Sequence, residues 1–503
     1  MGSESDQFKV LREVFGFDSF RLGQQGIVER LIGGEHVLAV MPTGSGKSLC
    51  FQIPALVRGG LCVVVSPLVA LMQDQVAALK LQGVAAETIN SNQTREDNIE
   101  IWKRVAAGEV RFLYLAPERL MTERMLAALV LMDVRMIAID EAHCISQWGA
   151  SFRPEYDALK NLRLHFKATP IGAFTATADE ATRRDIAAKL FGEQGHIYVA
   201  GFDRPNIKLT VVRKSNSADQ LLQFVAAHKG ESGIVYALSR KRCETLAEEL
   251  SFCGHKALAY HAGLSPRQRA ETQDRFMTEE GLIICATIAF GMGIDKPDVR
   301  FVFHADLPSN LEAYYQEIGR AGRDGEAADA HMIFGMQDVV MRRKFIADGQ
   351  SDAQRQRSEG VRLSKLVDYC EARQCRRQIL LGYFGQESGP CENCDLCFGE
   401  ENTATATTKK QKRAVRNEAL TGEMGTAGAD LLQHLKALRF KLAKAKGVPA
   451  YVIFHDSTLI EMAKQKPLTL MDLGQVAGVG VAKLGQFGKI FLNEIATRIA
   501  QQF

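Results

Sequence analysis

The sequence predicts an α/β protein with two tandem parallel-sheet domains, followed by a helical metal-binding module and a small all-α bundle. Short apolar runs alternate twice with helix-like stretches, four cysteines crowd between Cys375 and Cys397, and apolar residues recur at helical spacing from about Ala427 onward. At 503 residues the chain exceeds what a single core serves.

In the first domain, residues 1–203, the runs "VLAV", "CVVVSP", "FLYLAP", "MIAID" and "IGAFTAT" each end at Pro, Asp, Thr or Gly, as strands buried on both faces do. After "GFDRPNI" the pattern restarts with "SGIVYAL", "KALAYH", "LIICAT" and "VRFVFHADLP", which gives a second domain over residues 204–337. Ligands are expected at the carboxyl ends of these strands. A charged helical module, residues 338–399, leads into the cysteines; residues 400–426 read as a linker rich in Thr, Ala and Lys; residues 427–503 form the bundle.

A net charge of +3 with 46% hydrophobic and 24% charged residues excludes a disordered chain and a bulk polycation, so any nucleic-acid footprint is a local groove. No segment approaches the roughly 18 apolar residues of a membrane span, and eleven cysteines are too few for a disulfide framework in so long a chain. A cytoplasmic protein without membrane contact is expected.

"MPTGSGKS" follows an apolar run and opens a helix, the setting of a phosphate loop. Thr43, Gly44, Ser45 and Gly46 would cradle the phosphates of ATP, Lys47 would reach the β/γ oxygens, and the Ser48 hydroxyl would ligate Mg²⁺. The strict pattern begins with Gly where this chain has Met41, and a Gly-rich turn is the bland alternative. In "MIAIDEAH", Asp140 at a strand end would hold Mg²⁺ and Glu141 would polarise the attacking water; an acidic helix cap is the alternative. "QEIGRAGRDG" sets Arg320 and Arg323 three apart, on one face if the segment is helical, where a guanidinium can cross a cleft to a transferring phosphoryl group. Cys375, Cys391, Cys394 and Cys397 have the spacing of a tetrahedral S₄ zinc site, with Cys370 as a decoy.

"FRLGQ", "MPTGSGKS", "VVVSPLVALMQDQV", "APERL", "DEAHC", "TATA", "GIVYALSR", "YHAGL", "ATIAFGMGIDKPDVR" and "QEIGRAGRDG", in this order, resemble the motifs of superfamily 2 helicases, and in wording most resemble RecQ DNA helicases. The likeness runs from about Gln7 to Cys397, and the C-terminal segment resembles the helicase-and-RNase-D C-terminal (HRDC) bundle. It implies two RecA-like lobes and an ATP-dependent 3′ to 5′ helicase, acting as a monomer on single-stranded and forked DNA in repair or recombination. Arg21 and Gln24 would then read adenine, and Thr175 to Thr177 would link hydrolysis to DNA. Ser66 to Leu68, Ser239, Arg240 and Thr287 would hold the strand backbone, and Gly291 and Asp295 would sit between nucleotide and DNA.

The family also has an aromatic-rich loop behind the DEAH box, and its carriers here would be Trp148, Phe152 and Arg153, with Trp148 as a core anchor the alternative. This chain carries Ala150 and Ser151 where the family usually has His-Asp. It also leaves only about thirty residues between Cys397 and the bundle, too few for the family's winged helix. A single-stranded DNA translocase without unwinding and an RNA-dependent ATPase are the alternative functions; a non-hydrolysing clamp would lack Lys47 or Glu141, and both are present.

Overall fold

The computed structural model describes residues 6–90, 93–146, 153–192, 194–291, 296–349, 353–398, 428, 430–448 and 450–501. The first sheet contains β1 (His36–Val40), β2 (Leu61–Val65), β3 (Ala86–Ile89), β4 (Phe112–Leu115), β5 (Val134–Ile139), β6 (Ile171–Thr175) and β7 (Gly195–Val199), in the order β3-β4-β2-β5-β6-β1-β7. The second contains β8 (Ile207–Arg213), β9 (Ser232–Tyr236), β10 (Lys256–Tyr260), β11 (Leu282–Ala286), β12 (Val299–His304) and β13 (Ala328–Phe334), in the order β10-β11-β9-β12-β13-β8. The pairings are parallel throughout.

Helices cover both faces, which is why the central strands are continuous apolar runs. Along β1, Leu38 and Val40 enter one apolar cluster while Val37 and Ala39 enter another. Parallel order gathers the carboxyl ends of β1, β5 and β6 at one end of the strands, and the phosphate loop, the "DEAH" residues and the "TAT" residues leave from there.

Four strands, β3, β7, β8 and β13, go beyond those the apolar runs point to. Three are sheet edges, and all four interrupt the apolar run with polar residues: Glu87 and Thr88, His196, Lys208 and Thr210, and Asp329 and His331. The free edge of β8 is covered by the cysteine-bearing segment. Leu209 N donates to Asn393 O at 3.2 Å, Val211 N to Asp395 Oδ2 at 3.3 Å, and Asn393 Nδ2 to Pro205 O at 2.9 Å.

Helices Met336–Asp348, Ala353–Glu371 and Arg376–Tyr383 lead into that segment. Where the two lobes join, Phe202 stacks on Phe384 with ring centroids 4.7 Å apart, Tyr315 closes the triangle 5.0 Å from Phe384, and the Tyr315 hydroxyl donates to Phe202 O at 2.7 Å. One apolar cluster therefore runs through both lobes and the cysteine module.

The C-terminal bundle has its own core of Leu435, Ile453, Leu459, Phe487 and Phe491. Of its basic residues, Lys436 and Arg439 pair with Asp456 at 3.0 and 2.6 Å, so these two cations are spent inside the bundle. The bundle docks on the first lobe. Gly478 N donates to Gly16 O at 2.6 Å, Gly478 has φ of 88°, and a Cβ on Gly480 would stand 2.4 Å from Val14 O. The start of the last helix, Val481–Ala500, thus meets the end of the first, Asp6–Glu13.

Lys483 lies just inside that last helix, 8% exposed, with its Nζ 5.9 Å from the Phe454 ring. Burial pushes its pKa down from 10.5 to about 8. A pKa lowered by folding costs stability while the group is charged, and the cost fades as pH rises from about 8 to 10.5. Lys483→Met is expected to raise bundle stability at pH 7 by up to roughly 3 kcal/mol, and the gain should vanish above pH 10.5; calorimetry of the full chain across pH checks this.

Candidate active site and nucleic-acid interface

The phosphate loop needs backbone that only glycine adopts cheaply. Gly44 and Gly46 have φ of 79° and 84°, and the helix Lys47–Arg58 starts directly behind them. Its carbonyl side is held by the "FRLGQ" segment: Gln24 Nε2 donates to Ser45 O at 3.0 Å and Gly46 O at 3.3 Å, and Arg21 Nη1 donates to Gly44 O at 3.0 Å. Ser45 Oγ donates to Pro42 O at 2.7 Å. The Ser45 amide is likewise turned back into the loop, donating to Pro42 O at 3.3 Å.

At the end of β5 the chain turns sharply. Glu141 takes φ 50°, the left-handed region, which costs a non-glycine residue energy and sets its carboxylate beside that of Asp140. Asp140 Oδ1 accepts from Glu141 N at 3.0 Å, and Tyr156 Oη donates to Asp140 O at 3.1 Å. Burial raises the Asp140 pKa, and the Glu141 charge adds to this; Lys47 opposes both. Burial alone would raise Glu141 too, but His143, Lys47 and Arg320 together hold it below the ordinary carboxylate range. The paired acids, one lysine and one arginine therefore share a single electrostatic site.

His143 Nδ1 stands 3.3 Å from Glu141 Oε2 and 2.8 Å from Thr175 Oγ1. Thr175 Oγ1 donates to Thr177 O at 3.1 Å, and Gln316 Nε2, from the second lobe, donates to Thr177 Oγ1 at 2.7 Å. Polar contacts thus run unbroken from Glu141 across the cleft.

Arg320 and Arg323 are not on a helix face. Their helix, Leu311–Ile318, ends at Gly319, and Gly322 turns the chain with φ 57°, so both arginines leave a turn that lies against the first lobe. Arg323 packs on Gly44, where an added Cβ would be 3.7 Å from its Cγ, and Arg320 Nη2 lies 3.2 Å from where a Cβ on Gly291 would be. Thr43 Oγ1 donates to Gly319 O at 2.9 Å across the same junction.

Ser239, Arg240 and Thr287 line one cleft of about 740 Å³ together with Lys241 and Ile288. Ser239 Oγ also caps its helix, accepting from Arg242 N at 3.2 Å. Ser66 does not join them: it is 1% exposed and its amide donates to Leu115 O. Arg153 is partly exposed beside the DEAH turn. Trp148, Ala150, Ser151, Phe152 and Asp295 lie outside the described residues.

The Sγ atoms of Cys375, Cys391, Cys394 and Cys397 all lie within 4.8 Å of one another, with two of the separations 4.0 Å. A tetrahedron with Zn–S bonds of about 2.3 Å has edges of about 3.8 Å, so the four thiolates fit zinc. Cys370 is buried and outside this set. Sequence reasoning missed the next shell. Arg377 contacts Cys391 and donates to Asp203 Oδ1 and Arg204 O, each at 2.7 Å, and the signal for it was the paired arginines directly behind Cys375.

Two parallel-sheet lobes, with a phosphate loop and paired acids on one and two arginines turned toward them from the other, define a two-lobed helicase-type ATPase. Matches to known families agree: DEAD/DEAH box helicase over residues 21–186, helicase conserved C-terminal domain over 214–325, RecQ zinc-binding over 336–398 and HRDC domain over 428–495. The chain belongs to the RecQ family. It is 36% identical to the ATP-dependent DNA helicase RecQ of Pasteurella multocida, over 97% of this chain and 93% of the relative, and 33% identical to that of Bacillus subtilis, over 97% and 98%. The Pasteurella alignment runs 587 positions against 503 residues here, so at least 84 residues of the relative have no counterpart. In fold it is similar to the DEAD-box helicase Mss116 bound to single-stranded RNA, with a TM-score of 0.56 at 17% identity, covering 76% of this chain and 90% of that one.

Cys394→Ser is expected to reduce bound zinc from one per chain to well below that and to loosen the cover on β8. Elemental analysis, together with hydrogen exchange at Leu209 and Val211, checks both outcomes.

Proposed function

We propose that the chain is an ATP-dependent DNA helicase that moves 3′ to 5′ along a single strand and separates duplexes at forks. The observation that supports this most directly is the approach of Arg320 and Arg323 from the second lobe to the phosphate loop and Glu141 of the first. ATP would lie between the lobes, with Arg21 and Gln24 on its base side and the amides of residues 43–48 on its phosphates. Mg²⁺ held by Ser48 and Asp140 supplies charge neutralisation when bound. Glu141 orients and deprotonates the attacking water, Lys47 holds the β/γ oxygens, and the two arginines take up charge developing on the transferred group.

The strand would cross the cleft lined by Ser239, Arg240 and Thr287, and Trp148, Phe152 and Arg153 are its proposed contacts from the first domain. The line of contacts through His143, Thr175, Thr177 and Gln316 gives hydrolysis at Glu141 a route to move one lobe against the other. Among the described residues no helix is long and apolar enough to cross a membrane, which fits a cytoplasmic enzyme. We extend this reading to a monomer active in DNA repair or recombination.

A second reading, translocation without unwinding, is favoured by the short span of residues 399–427 between the zinc-binding and HRDC matches and by the residues the Pasteurella relative has in excess. A winged helix does not fit in that span. Purified protein with ATP and Mg²⁺ decides between the two. Unwinding of fork and 3′-overhang duplexes, but not of a 5′-overhang duplex, supports the helicase, whereas DNA-stimulated ATP turnover without strand separation supports the translocase. Glu141→Gln is expected to lower DNA-stimulated kcat by about 10²-fold or more with ATP binding retained, as measured by steady-state turnover and nucleotide titration.

A further inference from the structure

One partly buried cation outside these groups touches both lobes. Arg204, in the joining segment "GFDRPNI", directs Nη1 to Thr43 O at 3.2 Å and Gly319 O at 3.4 Å, and Nη2 to Ala321 O at 2.9 Å and Gly322 O at 2.8 Å. The first of these carbonyls belongs to the phosphate loop, and the other three belong to the turn that carries Arg320 and Arg323. All four η hydrogens are used, and only a planar guanidinium can serve four carbonyls from two directions at once.

Arg204 is itself fixed from the zinc module. Its own carbonyl accepts from Arg377 Nη1 at 2.7 Å, and the same nitrogen donates to Asp203 Oδ1 at 2.7 Å. Asn206, two residues on, donates through Nδ2 to Gly322 O at 2.9 Å and Glu326 O at 2.8 Å. The joining segment thus grips the arginine-bearing turn from one side, and the phosphate loop meets it from the other.

We propose that Arg204 is a positioning residue for phosphoryl transfer: it clips the turn Gly319–Gly322 to Thr43, so that Arg320 and Arg323 reach the γ-phosphate only when the clip is closed. The proposal rests on the reading of Arg320 and Arg323 given above. Arg204 spends its guanidinium on the carbonyls of Thr43 and the turn, so its effect is exerted through where the other two arginines stand. A misplacement of about 1 Å at such a site costs about 10²-fold in rate, while the ground-state contacts of the phosphate loop are left in place.

The test compares Arg204→Lys, Thr43→Val and Arg320→Ala in the full chain, with DNA-stimulated ATPase, affinity for ADP and for ADP with aluminium fluoride, zinc content and melting temperature measured on each. Arg204→Lys keeps the charge but cannot span four carbonyls. It is expected to lower kcat by about 10- to 100-fold, leave the KM for ATP and the ADP affinity within about threefold, and weaken the aluminium fluoride complex by the same factor as kcat. Thr43→Val, which removes the hydroxyl bond to Gly319 O, should move the same quantities in the same direction and carries the test if Arg204→Lys does not fold. Unchanged kcat in Arg204→Lys beside an inactive Arg320→Ala overturns the positioning role alone. Parallel losses of ADP affinity and melting temperature would reduce Arg204 to a structural brace and also overturn it. An Arg320→Ala that keeps full kcat defeats the underlying reading as well.

Discussion

A phosphate loop neutralises a bound triphosphate from one side only, and charge for the other side has to come from elsewhere in the chain. Most of this architecture follows from that constraint. In the function proposed above, the amides behind β1 and Lys47 form the first half, and Arg320 and Arg323, carried by the second lobe, form the other. Because the halves belong to different lobes, the site is complete only when the lobes meet, and hydrolysis is thereby linked to lobe position.

The junction that brings the halves together is built almost wholly from backbone carbonyls and the few donors that reach them. Thr43 and Arg204 supply those donors at the cleft, and Phe202, Tyr315 and Phe384 form the apolar support beneath. Carbonyl contacts change little when side chains vary, and they pull apart without stranding a buried ion pair. Such a surface suits one that must close and open in every cycle.

What was legible in the sequence follows the same division. Central strands such as "LCVVV" announce themselves because both faces are buried, whereas β3, β7 and β8 sit at edges where Glu87, His196 and Lys208 break the run. The phosphate loop, the paired acids and the four cysteines are local motifs, and the structure gathers each of them as its spacing suggests. Arg320 and Arg323 were legible as a pair but were read as a helix face, although Gly319, Gly322 and Gly325 around them are local signals for ending a helix, and the structure turns there. Ser66 was expected to hold the DNA strand backbone, yet it is 1% exposed at the end of β2. Arg204 had no local signature, because its partners across the junction lie more than a hundred residues away in the chain, whereas Arg377 was flagged only by its place behind Cys375. The docking of the bundle on Gly16 depends in the same way on two glycines far apart, each unremarkable in its own segment.

The cysteine knuckle does more than close on a metal: by placing Asn393 and Asp395 against Leu209 and Val211, it occupies the β8 edge of the second sheet. An uncovered parallel edge recruits strands from neighbouring molecules. Failure of metal supply during synthesis would therefore leave β8 open to such pairing.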